Sequence, residues 1–487
     1  MSPSEKILLV HPLGYRTESA SRDISRLASI MPPLGLASLA AYLEQRRIGA
    51  SIIDCYAQPD SDAAIRQFLL DQRPAFIGLS CTTSSFLDGA RIARLAKATL
   101  PGIRTVFGGP HVSALRGRIL ADYPEVDCTV VGEGEATLTE LIQRRGEALA
   151  GVQGLMYRDG ADGPAVFTGH RAQGLELDSL PFPAYEKLAG FPHAYQLPIF
   201  NYPTAPSSSC ISSRGCPYAC SYCDRSVFRR SFRFNSAEYL YAHMLHLKTR
   251  FGLRHINFYD DQFTFDRNRV EALTGLLCSQ PLGLTFNCVV RAEHIDADLL
   301  RRLKAAGCWM ISMGIETGDP ELLAQHRQNS DLDLLADRIR MVKAAGIRTK
   351  GLLMIGLPGE TEASIRRSMD YVFKLPIDDF NLAKFTPFPG SPLYERIREE
   401  GSFDEDWDKM DCMHFQFVTR GMTRERLEEL FLAFYRGHYK RIKVLLGYVA
   451  MLWRSPHSWR RFLANLPAFL SFTRSNRRFQ GGPAERG

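Results

Sequence analysis

Twice along this 487-residue chain, short apolar runs alternate with helix-patterned segments. That alternation restricts the architecture more than any other feature. In the first series the expected strands are residues 6–10, 51–54, 76–80, 104–108 and 128–132, with helices at 33–44 and 88–100 among the segments between them. In the second series they are residues 208–212, 255–260, 285–290, 309–315, 350–355 and 381–385. Repeated strand–helix units imply parallel sheets with helices on their faces. The chain is also too long for one ordinary core. We therefore expect an α/β protein: a doubly wound parallel sheet over residues 1–145, a turn-rich connector over 146–203, a second α/β unit over 204–395 and a helical, basic region over 396–487.

The strand ends carry the functional information. In open α/β sheets ligands bind beyond the carboxyl ends of the strands. Here those ends run into small or polar residues, Ser80 and Thr82, Gly108 and Gly109, and Gly132-Glu133-Gly134. Glycines there let a large flat ligand approach the backbone. No G-x-G-x-x-G follows the first strand, so a dinucleotide fits poorly.

Cys216, Cys220 and Cys223 stand in the spacing C-x3-C-x2-C, with Tyr222 just before the last. Three thiolates on one loop suit three iron corners of a cubane cluster and leave the fourth open to a small molecule. A zinc site completed by a distant residue is the alternative, but zinc ribbons pair two knuckles and no second C-x2-C exists here. The other eight cysteines are scattered, mostly in apolar runs, and the total of 11 is odd. The chain opens Met1-Ser-Pro-Ser-Glu-Lys6 with no signal-peptide pattern, so a reducing cytoplasmic setting without disulfides is expected.

This cysteine spacing resembles the radical S-adenosylmethionine (SAM) superfamily. With the preceding domain it resembles the class B, cobalamin-binding branch, in which Pro32-Pro-Leu-Gly35, Gly108-Gly-Pro-His111 and Gly132-Glu-Gly-Glu135 recur. The resemblance implies an N-terminal cobalamin-binding domain and a partial (β/α)6 barrel. It implies a 4Fe–4S cluster on Cys216, Cys220 and Cys223, and a corrinoid on the strand-end loops at Ser80, Thr82, Gly108, Gly109, Gly132, Glu133 and Gly134. No Asp-x-His-x-x-Gly occurs, so the resemblance favours cobalamin with its own base displaced and no protein histidine on cobalt. For SAM it implies Tyr222 beside the adenine, Asp260 or Asp261 on the amino group, and Glu316, within Gly314-Ile-Glu-Thr-Gly318, on the ribose. Arg291 either meets the SAM carboxylate or bridges surface acids. No further catalytic residue is assigned.

The family chemistry divides two ways. In one, a 5′-deoxyadenosyl radical and methylcobalamin together methylate an unactivated carbon of a small or lipid-like substrate. In the other, the same radical serves an oxidative cyclase of the anaerobic magnesium-protoporphyrin ester type, acting on a tetrapyrrole. A non-catalytic corrinoid or iron–sulfur sensor is a third reading, and a full set of SAM residues argues against it. An external one-electron donor such as flavodoxin or ferredoxin is implied, and no nucleic-acid partner is expected.

The net charge of +7 sits in the tail: residues 436–487 hold eleven Lys/Arg and one Asp/Glu. Two apolar runs there, 444–453 and 462–472, are too short to span a bilayer. They suit interfacial helices lying peripherally on the inner face of an anionic membrane, or a helical cap with a basic solvent face.

Overall fold

Lys6–His11 (β1) has a continuous apolar centre, Ile7 to Val10, that is fully buried, as a central parallel strand has to be. It pairs in parallel with Gly49–Asp54 (β2) on one side and Phe76–Ser80 (β3) on the other. Arg104–Gly108 (β4) and Cys128–Val130 (β5) extend the sheet in parallel. Helices Leu34–Gln45 (α1), Ser61–Gln72 (α2), Phe86–Thr99 (α3) and Glu135–Gln143 (α4) connect and cover it. The computed structural model describes residues 6–14, 30–160, 163–171 and 175–467.

Two strands from the expected connector, Leu155–Arg158 (β6) and Ala165–Phe167 (β7), complete this sheet as an antiparallel edge. The order is β2-β1-β3-β4-β5-β6-β7. Crossovers leave β1 in opposite directions toward β2 and β3, so the switch point of the sheet lies beside β1. Helix α1 is apolar almost all round because it is covered twice. Its Leu36, Ala37, Ala40 and Leu43 are buried, and the Ala37 carbonyl accepts a hydrogen bond from Ala184 N of the connector.

The second sheet has six strands, all parallel: Ser207–Cys210 (β8), His255–Phe258 (β9), Thr285–Val290 (β10), Cys308–Glu316 (β11), Arg348–Ile355 (β12) and Asp379–Lys384 (β13). They follow one another in order with β8 and β13 at the edges, a curled half-barrel covered by helices. Helix caps are built from local sequence. Ser236, Asp266, Asp296, Asp331 and Thr361 each accept a backbone N–H at the first turn of the helix that follows, Ala237–Phe251 (α5), Arg267–Ser279 (α6), Ala297–Ala305 (α7), Leu332–Ala344 (α8) and Glu362–Lys374 (α9).

Residues after the barrel begin with one short helix, Ile397–Glu400, and are not helical throughout. Gly401–Phe403 and Phe417–Thr419 form an antiparallel hairpin. The segment between them returns to the first domain, where Trp407 is buried against Phe86, His111 and Tyr123. Glu405 beside it accepts hydrogen bonds from Arg118, Tyr394 and Trp407. Arg424–Tyr439 (α10), Ile442–Arg454 (α11) and Pro456–Ala464 (α12) follow. Thr423 caps α10 through Arg426 N, as its sequence suggests. Phe469 and Phe472 of the second apolar run lie outside the described residues.

Candidate active site

A cavity of about 360 Å³ opens where the carboxyl ends of the first sheet face the barrel. Leu9, Gly78, Val106 and Val130, one from each of β1, β3, β4 and β5, form its wall on the sheet side. Leu34, Leu36, Leu39 and Leu138 close it from α1 and α4. It is therefore an apolar slot running into the domain from the strand ends. Ser80, Gly108, Gly109, Gly132, Glu133 and Gly134 form the rim, six of the seven residues expected from sequence.

Thr82, the seventh, is a correction. Its N–H donates to Ser85 Oγ, so it shapes the loop leading into α3 and does not reach the cavity lining. The rim glycines are needed for two reasons. Gly109 has φ of +100°, and a Cβ there would meet the Cys81 carbonyl oxygen at 2.5 Å. A Cβ on Gly108 would project into open space beside the cavity. The donor-poor, glycine-floored shape fits a corrinoid. His11 is held by Asp54 at 2.9 Å. Burial lowers the His111 pKa to about 3, against Trp407, and neither histidine lines the cavity.

The opposite wall comes from the barrel domain. Ile211, Ser213, Arg214, Gly215, Val227 and Phe228 bracket the cysteine loop, and Tyr259 and Asp261 follow β9. Arg214, two residues before Cys216, crosses to the first domain. It donates to Glu133 Oε1 at 2.6 Å and to Glu135 Oε1 at 2.7 Å, and Arg233 holds the second oxygen of Glu133. Burial pushes the Glu133 carboxyl up, but hydrogen bonds from Arg233 and Arg214 outweigh it and hold it below the ordinary value. Glu133 thus carries the contact between the two domains.

The three cysteines lie on the loop between β8 and the helix Ala237–Phe251, with Cys220 buried and Cys216 and Cys223 half-buried. Burial, with Asp261 and the neighbouring thiols, pushes the Cys223 thiol up to about 12. Among the described residues no three His, Cys, Asp or Glu side chains converge on the point a single metal ion would occupy. Three thiols on one loop suit three iron corners of a cubane cluster. Ser221 ties this loop in place: its N–H donates to the His326 carbonyl, and its hydroxyl lies 2.9 Å from His326 Nδ1. His326 Nε2 reaches the Pro358 carbonyl oxygen at 2.9 Å in the Gly356-Leu-Pro-Gly loop.

The structure separates the paired acids. Asp260 is fully buried and spent: Oδ1 accepts from Ser212 N at 2.6 Å and Ser213 N at 3.3 Å, and Oδ2 accepts from Ser212 Oγ with Arg269 at 3.8 Å. It orders the turn leading into the cysteine loop and has no oxygen left for a ligand. Asp261 opens into the cavity. Burial of the rest of its carboxyl, with Asp260 behind it, raises its pKa. Arg291 is likewise engaged, by Glu293 and by the carbonyls of Gln328 and Asn329 at 2.7 Å, with its guanidinium 3.9 Å from the Tyr218 ring centroid.

Glu316 ends β11 at a register shift against β12, with φ of +62°. A non-glycine residue in the left-handed region is strained, and such strain gathers at functional sites. Burial raises its pKa, and Arg327 and Tyr222 act in the opposite sense. Tyr222 packs with Leu357 and Phe385 at the ends of β12 and β13. Sequence reasoning missed Arg214, Ser221, His326 and Arg327. Each acts on a group remote in the chain, and no local spacing signals that.

Residues 210–372 match the radical SAM superfamily and residues 23–142 match the B12 binding domain. The chain is a cobalamin-binding radical SAM enzyme. Its cofactors are a 4Fe–4S cluster, SAM and cobalamin. An uncharacterised methyltransferase of Pyrococcus horikoshii is 28% identical over 447 residues, 91% of this chain and 94% of that one. The anaerobic magnesium-protoporphyrin IX monomethyl ester cyclase of Rubrivivax gelatinosus is 24% identical, covering 87% of this chain and 74% of its own. The radical S-adenosylmethionine methyltransferase TsrM of Kitasatospora setae shares the fold with a TM-score of 0.65, at 18% identity over 81% of this chain and 76% of that one.

Proposed function

We propose that this enzyme methylates an unactivated carbon of a small or lipid-like molecule. The observation that carries the reading is the shared cavity: the glycine-rich strand ends of the B12 domain and the cysteine loop of the barrel line opposite walls of one space. A group transferred from a corrinoid to a SAM-generated radical site has to cross such a space. When bound, the cluster supplies the electron that cleaves SAM and the corrinoid carries the methyl group.

The chain's own residues position these partners. Cys216, Cys220 and Cys223 hold the cluster and leave one iron for SAM. Asp261 receives the SAM ammonium by a charge-assisted hydrogen bond. Glu316 accepts the ribose hydroxyls, and Tyr222 covers the adenine. Arg291, engaged by Glu293 and two carbonyls, supports the loop beside the site. The apolar slot between Leu9 and Val130 and the Gly108–Gly109 floor would hold the corrinoid. An external low-potential electron donor completes the system.

Methyl transfer is favoured over oxidative cyclisation because the relative that spans 91% of this chain is named a methyltransferase. Turnover with SAM bearing a trideuterated methyl group separates the two. A substrate gaining 17 mass units, with 5′-deoxyadenosine formed, supports methylation. A product oxidised without label supports the cyclase reading.

A further inference from the structure

We propose that the outward face of α11 is a docking surface for an anionic lipid bilayer. Helix α11 is amphipathic in the wrong sense for a soluble cap. Its inner face packs on the protein through Val444, Tyr448 and Met451: the Tyr448 ring lies 5.1 Å from Phe200 and 5.9 Å from Tyr439. Its outer face is also apolar. Ile442 and Trp453 are 72% and 77% exposed, with Leu445, Leu446, Val449 and Leu452 exposed between them. The face continues on α12 at Leu463. Half of the exposed large apolar side chains among the described residues lie within 442–463. A solvated helix face is polar, and a contiguous apolar patch marks a contact.

Charge selects the occupant. Residues 436–467 contain seven Lys/Arg and no Asp/Glu. A second copy would bring two such cationic faces together. Residues 468–487 are cationic too, with four Arg and one Glu. An anionic leaflet complements both the apolar stripe and its basic flanks, Lys440, Lys443, Arg454 and Arg460. At 13 residues α11 is about 20 Å long, too short to cross a bilayer, so it lies in the interface.

The placement also fixes orientation. Arg348, the first residue of β12, lies 5.6 Å from the Tyr448 ring, and Tyr439 bonds Asp379, the first residue of β13. The docking helix therefore sits at the amino ends of the barrel strands, while the cofactor cavity is beyond the carboxyl ends. The contact tethers the enzyme and does not open its cavity directly onto the bilayer. It holds whichever reaction the site performs.

The test is sedimentation of the reconstituted full chain with vesicles of phosphatidylcholine alone or mixed equally with phosphatidylglycerol. Wild type should pellet with the mixed vesicles only, release as salt rises toward 1 M, and show a blue-shifted Trp453 emission that Trp453→Phe removes. Leu446→Glu/Val449→Glu should reduce binding about tenfold or more with the melting point kept within about 2 °C, as exposed sites allow. Lys443→Glu/Arg454→Glu, which touches no packing, should do the same. Equal pelleting of wild type and both variants, binding indifferent to anionic lipid, or no binding at low salt would overturn the proposal. So would a wild-type dimer that the glutamate variants dissociate, or vesicle binding seen only after truncation at residue 467, which would put a second copy or the chain's own end on the face.

Discussion

Glu316 joins three properties that rarely coincide: a left-handed backbone at the end of a barrel strand, a buried carboxyl and a neighbouring tyrosine. Burial raises its pKa, so its ionised form is lost at a higher pH than that of an ordinary glutamate. If the ionised form accepts the SAM ribose hydroxyls, affinity for SAM should weaken as pH falls through that raised value. Glu316→Gln should flatten this dependence and raise the Kd about 10- to 150-fold, the worth of ~1.5–3 kcal/mol for hydrogen bonds to a charged group. Calorimetric titration with SAM across pH, with the cluster absorption as a control for integrity, checks both. An unchanged Kd removes Glu316 from the binding site. At this scale the sequence told half the story. Gly-Ile-Glu-Thr-Gly pointed to Glu316, but adjacent Asp260 and Asp261 look alike in a string of letters. Only the fold turns one toward Ser212 and the other into the cavity.

At the scale of elements, all six barrel strands and the first five strands of the N-terminal sheet were legible, because most are short apolar runs ended by Gly or a polar turn and the rest alternate with helical segments. Strands β6 and β7 were not. Leu155–Arg158 and Ala165–Phe167 are short and partly exposed, and are stabilised by pairing, β6 with β5 and β7 with β6, rather than by their own pattern. The hairpin at 401–419 was hidden for the same reason. The loop carrying Gly132-Glu-Gly-Glu135 was read, Glu133 included, as a corrinoid contact, whereas its carboxylates are paired with Arg214 and Arg233 beside the cysteine loop. Arg214→Ala leaves Glu133 and Glu135 without their shared partner in a mostly buried site. Such losses cost about 3–5 kcal/mol. The variant should unfold at lower urea and bind corrinoid more weakly, measured by denaturation and by equilibrium dialysis. A variant that matches wild type in both would show the ion pairs to be incidental.

At the scale of the whole molecule, the cavity exists only while the two sheets face each other, and the contacts that hold them include the Arg214 ion pairs and the Trp407 segment. Trp407→Ala empties a site against Phe86, His111 and Tyr123 and should cost about 3–5 kcal/mol in urea unfolding. The clasp is also pH-sensitive. Burial opposes ionisation of Glu405, but hydrogen bonds from Tyr394, Arg398 and Trp407 and the charge of Arg118 bring it down to about 2. A depressed carboxyl stabilises the fold above its unfolded value near 4.5 and loses that contribution as pH falls toward 2. Glu405→Gln should therefore melt below wild type at pH 7, and the gap should close on acidification. A gap that stays constant with pH would place the effect elsewhere.

Two domains of this chain each load their own cofactor around one cavity. Iron and cobalt analysis of the anaerobically reconstituted full chain, beside a Cys216→Ala/Cys220→Ala/Cys223→Ala variant, tests it most directly. The account predicts about four irons and one corrinoid per wild-type chain, and a variant that loses the iron while keeping the corrinoid. Iron retained without the three thiols, or a wild type that takes up no corrinoid, would contradict it.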